Sequence, residues 1–333
     1  MMKFLCAASV LLAGLASAVP TPTRKDALEG RTVEKRASIT DACSVGYCTL
    51  NGGTTGGARG TTTTVSSLAE FTAAVGAEGP AMIILDGNLS GTVKVHVASD
   101  KSIIGKAGSS LTGIGLTILD ESNVIVRNLK SSKVLADYGD IVTVQNSTNI
   151  WIDSCDFSND LDHDKDYYDG LTDIVHASEW VTVSNTYFHD HWKGSLVGHS
   201  SNNEAEDSGH LHVTFYGNWY DNINSRTPMY RFGEGHIFNS YFSNMLETVV
   251  DTRDLAQLLI ESSVWESCPK KAIFTNDSNV GPGYAVVRDI DLGGSENLAP
   301  VGTLTSVPYD YTLLGSENTK AFVMANAGQR LDF

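Results

Sequence analysis

Short runs of β-branched and aromatic residues recur along most of this chain. Four of them share one pattern, an apolar strand that ends in a small or amide residue, and they are Val124–Asn128, Ile150–Ser154, Val181–Asn185 and Val213–Gly217. Their first residues are 26, 31 and 32 positions apart, and similar runs that start at His236 and Leu259 follow at intervals of 23. Because no helical pattern lies between the strands, this repeat predicts a solenoid of stacked strands, a parallel β-helix.

The residues that end the strands, and the spacing between strands, extend this prediction. A small or amide residue suits a tight bend that is repeated on every coil, and stacked amides can also bond to one another. The alternative is an antiparallel sandwich, which also has short strands and turns. The two longest intervals, 150–181 and 181–213, predict protruding loops, and loops on a rigid scaffold usually carry the function.

One helix interrupts the strand pattern near the start of the chain. Ser67 and Glu70 form a capping-box pattern, and apolar residues after Ser67 recur at helical spacing. This predicts a short helix that caps the N-terminal end of an all-β domain. No other segment gives a convincing helical pattern.

The first 36 residues differ from the rest in composition. A basic residue precedes the apolar run Phe4–Leu15, and small residues follow it. This is the pattern of a secretory signal peptide over residues 1–18, and the run is too short to span a bilayer. Residues 19–36 are polar and end in the basic pair Lys35-Arg36, which predicts a propeptide. The mature protein would then be one secreted, extracellular domain, residues 37–333.

The chain is strongly acidic, with 23 basic and 39 acidic residues and a net charge of −16. Removal of residues 1–36 takes away six basic and three acidic side chains, which leaves a mature charge of −19. Such a surface argues against nucleic acid and anionic membranes as partners. It also repels a polyanion, so an acidic ligand would have to be held by a local basic patch or a bridging metal.

Cysteines and sequons are consistent with export. Four cysteines follow residue 36, and an even number in a secreted chain predicts disulfides. Cys43 and Cys48 are close enough for a small disulfide loop, whereas a bond between Cys155 and Cys268 stays open. Three N-glycosylation sequons begin at Asn88, Asn146 and Asn276.

Carboxylates cluster where the longer loops begin. Asp169 and Asp173 flank an apparent strand entry, and Asp140 lies on the preceding coil, so their side chains can meet on one face of the stacked strands. Oxygen ligands of this kind suit Ca²⁺, which takes six to eight of them. The alternating aspartates of the loop 160–166 look like the start of an EF-hand, but Lys165 and Leu171 occupy positions that need Gly and Glu. That loop is therefore interpreted as a solvated acidic segment.

Basic residues follow the acidic loop on successive coils. Lys193, Arg226 and Arg231 lie near predicted strand ends, in a mature chain with only 17 basic residues. Arginine recognises carboxylates with two parallel hydrogen bonds, whereas lysine acts as a more flexible point charge. A site that holds a cation and a polyanion together would need this arrangement. Arg253 is interpreted as a structural brace, and His189 and His191 as buried, hydrogen-bonded histidines rather than ligands or acid–base groups.

Taken together, these motifs resemble the pectate lyases of polysaccharide lyase family one, in particular the secreted fungal members. The runs that carry the resemblance are Trp151–Asp153, Asp169–Ile174, Val181–Lys193, Arg226–Gly233 and His236–Asn239. The resemblance implies a single-stranded right-handed parallel β-helix with a Ca²⁺ site that faces a cleft for polygalacturonate. It also implies a base at Arg226, substrate-carboxylate binding by Lys193 and Arg231, and calcium ligation by Asp140, Asp169 and Asp173.

Two positions depart from the family pattern. Some members have an aspartate two residues before the position of Asp140, and Tyr138 stands there in this chain. The histidine that usually follows the Trp-Ile-Asp run is Ser154 here. One calcium ligand is thus expected to be missing or replaced, and a packing or hydrogen-bonding role is expected to differ.

The resulting hypothesis is a monomeric, calcium-dependent lyase that cleaves (1→4)-α-D-galacturonan by β-elimination and gives 4,5-unsaturated oligogalacturonates. One alternative is a pectin lyase acting on methyl-esterified chains, although such enzymes generally lack the calcium acids. A β-helical polygalacturonase would need paired carboxylates and water. A solenoid that binds polygalacturonate through calcium but has lost activity is the non-enzymatic alternative.

Overall fold

The strand runs of the sequence lie beside one another in the structure, in parallel and in register. The computed structural model describes residues 37–276 and 279–333. Val124 lies beside Ile150, Ile150 beside Val181, and Val181 beside Val213. The next run pairs one residue out of the expected register, because Gly235 rather than His236 lies beside Val213. The predicted parallel β-helix is confirmed, and the antiparallel sandwich is wrong.

The described part of the chain contains 25 strands in two sheets. In chain order they are β1 Thr61–Val65, β2 Ala81–Leu85, β3 Asn88–His96, β4 Lys101–Gly105, β5 Ser110–Leu119, β6 Ser122–Arg127, β7 Lys130–Ser132, β8 Val142–Gln145, β9 Thr148–Asp153, β10 Asp156–Ser158, β11 Thr172–Val175, β12 Glu179–Ser184, β13 Tyr187–Lys193, β14 Ser195–Val197, β15 Val213–Tyr216, β16 Trp219–Ser225, β17 Met229–Arg231, β18 Glu234–Phe238, β19 Tyr241–Ser243, β20 Val250–Arg253, β21 Gln257–Glu261, β22 Val264–Glu266, β23 Lys271–Phe274, β24 Tyr284–Arg288 and β25 Glu296–Asn297.

The strand order shows how the coils stack. The first sheet has ten strands in the order β1-β2-β4-β6-β9-β12-β15-β18-β21-β24, so it holds the repeated strands found in the sequence. The second sheet has 15 strands, and it consists of two stacks joined through the long strand β5, which also pairs with β3. One stack runs β7-β10-β13-β16-β19-β22, and the other runs β8-β11-β14-β17-β20-β23-β25. Each coil therefore presents three strand faces around a common interior.

The interior is apolar and is filled in register from coil to coil. Phe188, Tyr220, Phe242 and Trp265 occupy equivalent positions on successive strands. Their rings stack with centroid distances of 4.9, 5.0 and 4.6 Å, and none is more than 1% exposed. Removal of this area from water is the main force that holds the coils together.

A tight bend follows six successive strands of the first sheet, from β6 to β21, as predicted. The residues in these bends have left-handed backbone conformations, with φ between 45° and 66°, and they are Asn128, Ser154, Asn185, Gly217, Asn239 and Ser262. Each donates its backbone N–H to a carbonyl of the next coil. Asparagine and glycine suit such bends because they tolerate positive φ at low cost. The bonds that stack the bends are made by backbone groups.

The C-terminal segment, residues 309–333, runs back across these bends. Asn239 bonds to the Thr312 carbonyl at 2.9 Å and to the Leu314 N–H at 3.1 Å. Much earlier in the stack, Asn128 bonds to the backbone of Leu331 at 3.0 and 2.9 Å. The bend side chains thus anchor the end of the chain along the length of the first sheet.

Replacing Asn239 by alanine is expected to lower the free energy of unfolding by about 2 kcal/mol. Asn239 is buried with φ of 50°, so the variant loses two hydrogen bonds and puts a Cβ-bearing residue without a polar side chain into the left-handed region. Asn239→Gly keeps the conformation and loses only the bonds. Urea unfolding of both variants separates the two costs, and equal destabilisation by alanine and glycine would contradict a conformational cost.

Three α-helices and three 3₁₀ turns accompany the strands in the described residues. They are α1 Leu68–Gly76, α2 Glu204–Asp207 and α3 Ser316–Asn326, with 3₁₀ turns at Tyr47–Thr49, Ala136–Tyr138 and Ser201–Asn203. Both hydrogen bonds of the predicted capping box are present at Ser67 and Glu70. Helix α3 was not predicted, because only Thr319 and Val323 of its 11 residues are buried and no clear apolar face marks it. This helix packs on the outside of the second sheet, where Val323 contacts the cluster of Tyr241 and Val264.

The structure tests some of the predictions about export, disulfides and sequons but not others. The predicted signal peptide and propeptide lie outside the described residues, which all belong to one unit, Ala37–Phe333. Cys43 and Cys48 form a disulfide, whereas Cys155 and Cys268 are free. The sequon asparagines Asn88, Asn146 and Asn276 are all exposed. Among the described helices, none has the length and apolar character needed to cross a membrane.

Candidate active site

Two of the three predicted calcium ligands converge on one point of the second sheet. Asp140 lies just before β8, Asp173 lies in β11, and these strands pair so that Thr143 is beside Asp173. A Cβ atom at Gly170 would lie 2.9 Å from Asp140 Oδ1 and 2.5 Å from Asp173 Oδ1. Only a residue without a side chain leaves room for both carboxylates. The local run Asp-Gly-Leu-Thr-Asp therefore supplies a ligand and the space beside it.

Both carboxylates are buried and held by hydrogen bonds. Asp140 is 6% exposed and accepts from Gly170 N–H at 2.8 Å and from the Thr143 hydroxyl at 2.7 Å. Asp173 is 8% exposed and accepts from Leu196 N–H at 3.0 Å. Sequence reasoning missed Thr143, because a threonine in a strand carries no sign of this support.

The ionisation of the two acids reflects their confinement. Burial, together with the charge of Asp169, raises the pKa of Asp140 to about 6. Burial and the charge of Asp140 raise the pKa of Asp173 well above its usual value. Desolvation and like charge both disfavour the ionised form. A bound cation would offset both effects, so the pair fits an oxygen-ligated divalent ion.

Asp169, the third predicted ligand, faces Lys193 instead of the pair. Its carboxylate is 41% exposed and lies 3.0 Å from Lys193 Nζ, and Asp166 lies 3.5 Å from the same nitrogen. Asp166 was not singled out by sequence reasoning. In residues 37–276 and 279–333, no group of three or more His, Cys, Asp or Glu side chains is arranged to hold a metal. The three aspartates are neighbours, but only Asp140 and Asp173 converge at Gly170, and this pair of buried carboxylates is called the cradle below.

Arg226 stands free beside the cradle. It follows β16 in a left-handed conformation with φ of 64°, and its carbonyl accepts from Ser195 N–H at 2.6 Å. Within the described chain its guanidinium makes no hydrogen bond or salt bridge. Its charge nevertheless reaches Asp173 and lowers the pKa of that carboxyl, against the larger effect of burial. The guanidinium is therefore close to the cradle and available to a ligand.

The two later arginines are bound to protein groups. Arg231, at the end of β17, donates to the Gly198 carbonyl at 2.9 Å and pairs with Asp254 at 3.0 Å, although its Nε–H does not point at that carboxylate. Burial and the charge of Arg253 lower the pKa of Arg231. Arg253 donates to Asp251 at 2.9 Å, which confirms its prediction as a brace. Both later arginines are thus held by protein groups, unlike the Arg226 guanidinium, which bonds to no group in the described chain.

The two histidines before Lys193 are hydrogen-bonded, as predicted. His191 is fully buried, and its Nε2 lies 2.5 Å from the Asp169 carbonyl, so it supports the backbone of the Asp169 loop. Burial lowers the pKa of His191 to about 4, which keeps the ring neutral. His189 lies between Asp156 and Asp190, which raise its pKa against the opposing effect of burial.

The acidic loop is partly structural. Asp162, Asp164 and Asp166 are exposed, as expected for a solvated segment. Asp160 is different, because it binds Lys133, His163 and the Tyr168 hydroxyl. Burial opposes ionisation of Asp160, but these bonds outweigh it and lower the pKa of the carboxyl. The prediction of a solvated loop is thus wrong for its first aspartate.

The two departures from the family pattern have simple structural outcomes. Tyr138 lies in a 3₁₀ turn and packs against the apolar core, so it supplies no carboxylate to the site. Ser154 occupies a left-handed bend, and its hydroxyl donates to Asp153 at 3.0 Å. Ser154 therefore has a local hydrogen-bonding role, away from the cradle.

Known proteins match this chain over nearly its whole length. A family model described as pectate lyase matches residues 10–330. Pectate lyase plyB of Emericella nidulans is 53% identical over 324 residues, which covers 96% of this chain and 98% of the relative. Pectate lyase B of Colletotrichum gloeosporioides is 56% identical over 316 residues, which covers 95% of this chain and 93% of the relative.

Solved structures agree in fold. A pectate lyase from Bacillus sp. N165, in complex with trigalacturonate, matches with a TM-score of 0.78 and 27% identity over 86% of this chain and 98% of that chain. The thermostable pectate lyase PL 47 matches with a TM-score of 0.75 and 23% identity over 88% and 99% of the two chains. The family match and the identities show that this chain belongs to the pectate lyase family and is an enzyme of that class.

Proposed function

We propose that this enzyme cleaves (1→4)-α-D-galacturonan, as pectate or low-ester pectin, by calcium-dependent β-elimination to 4,5-unsaturated oligogalacturonates. The observation that carries the proposal is a cradle of two buried carboxylates beside an arginine whose guanidinium bonds to no group in residues 37–276 and 279–333. The Bacillus relative bound to trigalacturonate supports a galacturonan substrate. The enzyme would act outside the cell, as a monomer.

The metal site of this proposal uses Asp140, Asp173 and Asp169. Asp140 and Asp173 converge already, and Asp169 would join them by turning from Lys193. When bound, calcium would supply positive charge at the substrate's C6 carboxylate, which makes the adjoining C5 proton more acidic. The cradle contributes a fixed position and a dry environment, in which such charge acts strongly.

Lys193 and Arg231 bind the substrate in this proposal. Lys193 is 8% exposed and holds its ammonium group at the edge of the cradle through Asp169 and Asp166. A substrate carboxylate can take the place of either aspartate at this nitrogen. Arg231 has donors left over after its hydrogen bond to Gly198 and its ion pair with Asp254, and a guanidinium can hold a second carboxylate with two hydrogen bonds.

Arg226 is the proposed base. Loss of the C5 proton to its guanidine nitrogen leaves an electron pair that forms the C4–C5 double bond. The glycosidic oxygen on C4 departs with the electrons of the C4–O bond and takes up a proton, which balances the proton lost from C5, so no water is consumed overall. An arginine side chain in water stays protonated up to a pH of about 12. A base must be unprotonated before it can accept the C5 proton, and we therefore expect turnover to increase toward alkaline pH.

The proposal is tested by the ultraviolet absorbance of the unsaturated product, with polygalacturonate and methylated pectin as substrates, each with calcium and with EDTA. We expect product from polygalacturonate in calcium and none in EDTA, since the cradle lacks its own positive charge. Activity that ignores EDTA and favours methylated pectin would point to a pectin lyase. New reducing ends without ultraviolet absorbance would mean hydrolysis, and binding without any product would mean an inactive solenoid.

A further inference from the structure

An aromatic ring lies exposed on the loop that leads to Asp169. Tyr167 is 44% exposed, whereas Tyr168 beside it is buried. One face of the Tyr167 ring stacks on His163, with 4.0 Å between ring centroids and an angle of 13° between the planes. The ring is therefore a flat apolar surface that is backed on one side and wet on the other.

The loop fixes this ring in place. The Tyr167 carbonyl accepts from Ala136 N–H at 3.1 Å, and its own N–H donates to Asp164 at 3.2 Å. The His163 ring behind it bonds to Asp160 at 2.7 Å, and the His163 carbonyl accepts from the Trp192 indole at 2.8 Å. A surface that is already rigid loses little conformational entropy when a ligand covers it.

The ring lies at the edge of the candidate active site. The residue before it, Asp166, places its carboxylate 3.5 Å from Lys193 Nζ. Trp192, which supports the ring through His163, is the residue before Lys193 in β13. The acidic loop and strand β13 therefore hold both the Lys193 ammonium group and the Tyr167 ring.

The charge around the ring restricts what it can bind. The segment 160–168 contains four aspartates and one lysine, and Asp162, Asp164 and Asp166 are exposed. These carboxylates repel a second carboxylate nearby but leave an uncharged sugar unaffected. The C–H face of a pyranose ring is apolar and suits an aromatic surface. A methyl-esterified sugar therefore fits this place better than a free uronate.

We propose that Tyr167, backed by His163, is a stacking platform for one pyranose ring of the galacturonan chain, outside the bond that is cleaved, with preference for a methyl-esterified residue. This proposal rests on the proposed function and adds a substrate class to it. The candidate active site binds unesterified galacturonate at the bond that is cleaved, and Tyr167 contacts a methyl-esterified residue elsewhere on the same chain. The natural substrate is then a partly esterified pectin.

The test compares Tyr167→Ala with the wild type on polygalacturonate and on partly methyl-esterified pectin of the same chain length. We expect KM on the esterified polymer to rise about five- to tenfold, with a smaller rise on polygalacturonate and a much smaller change in kcat. The matched control is Met324→Ala, because Met324 is 42% exposed and lies on α3. This control is expected to keep wild-type kinetics on both polymers.

Measurements of calcium affinity and of direct polymer binding distinguish a stacking role of Tyr167 from a purely structural one. An unchanged KM in Tyr167→Ala would overturn the platform, and an equal rise on both polymers would overturn its ester preference. Weaker calcium binding by the variant, measured by calorimetry, would mean that the ring merely supports the Asp169 loop. Affinity electrophoresis in both polymers measures the same contrast without turnover, so the platform stays testable even if the wild type releases no unsaturated product.

Discussion

Replacing Arg226 by lysine is expected to lower kcat by about 10²- to 10⁴-fold on polygalacturonate, while the protein stays folded and binds calcium as before. The guanidine nitrogens would be held by the substrate alone, because no protein group in the described chain bonds to them. Lysine keeps the positive charge but places one nitrogen at a different point, and proton transfer depends steeply on position. Steady-state kinetics with calcium in excess measure the loss.

Two other substitutions separate the loss of kcat in Arg226→Lys from the consequences of replacing any arginine by lysine. Arg231→Lys is expected to raise KM by about tenfold with a smaller change in kcat, since Arg231 binds substrate in the proposed mechanism. Arg59 is exposed and distant in sequence from the site, so Arg59→Lys should behave as the wild type. Near-normal kcat in a folded Arg226→Lys variant would remove Arg226 as the base.

Asp140→Asn is expected to abolish calcium-dependent turnover and, in EDTA, to make the protein more stable than the wild type. Asp140 is buried with its ionised form disfavoured, so the apo protein carries an unfavourable charge at neutral pH. Asparagine keeps both hydrogen bonds, accepting from Gly170 and donating to the Thr143 hydroxyl. Calcium titration by calorimetry and thermal unfolding in EDTA measure the two effects.

The stability gain has a defined pH window. The pKa of Asp140 is about 6 in the folded protein and 3.8 without perturbation, so the folded state binds the proton more tightly. The wild type therefore loses stability relative to the variant as pH rises from about 4 to about 6. Below that window the two proteins are equal, and above it the difference reaches roughly 2 to 3 kcal/mol.

Asp162→Asn is the matched control, because Asp162 is an exposed aspartate of the neighbouring acidic loop. This control should show neither the pH-dependent gain nor the loss of calcium. In saturating calcium, the wild type should again be more stable than Asp140→Asn, since only the wild type gains the binding free energy. A variant that is less stable than the wild type in EDTA at neutral pH would contradict the account of the cradle.

Much of the fold could be predicted from the sequence because the repeat spacing reports directly on stacking. Val124, Ile150, Val181 and Val213 align as their spacing predicts. The register slipped by one at Gly235, because a glycine carries no apolar side chain to mark the start of the strand. Helix α3 was missed because its stability comes from packing on other coils, and its own sequence is mostly polar.

For the candidate site, the convergence of Asp140 and Asp173 could be predicted from the sequence, but the partners of the neighbouring charged side chains could not. Parallel stacking brings Asp140 and Asp173 together, and the sequence order anticipates this. The orientation of Asp169 toward Lys193 is a side-chain choice that no spacing reveals. Spacing likewise does not reveal that Arg253 bonds to Asp251, whereas the Arg226 guanidinium bonds to no group in the described chain.

The first and last described residues of the chain meet at one early coil. The Arg127 guanidinium donates to the Ser38 carbonyl at 3.0 Å, and the ring of Phe333 lies 5.5 Å from the same group. Repeat proteins that lack such a link can fray coil by coil from a free end. Here the last coils cannot unfold separately until the contacts of Leu331 with Asn128 and of Phe333 with Arg127 are broken. Mechanical or thermal unfolding should accordingly proceed as a single cooperative transition. A tag fused after Phe333 would disturb the contacts with Asn128 and Arg127 that prevent stepwise unfolding from this end.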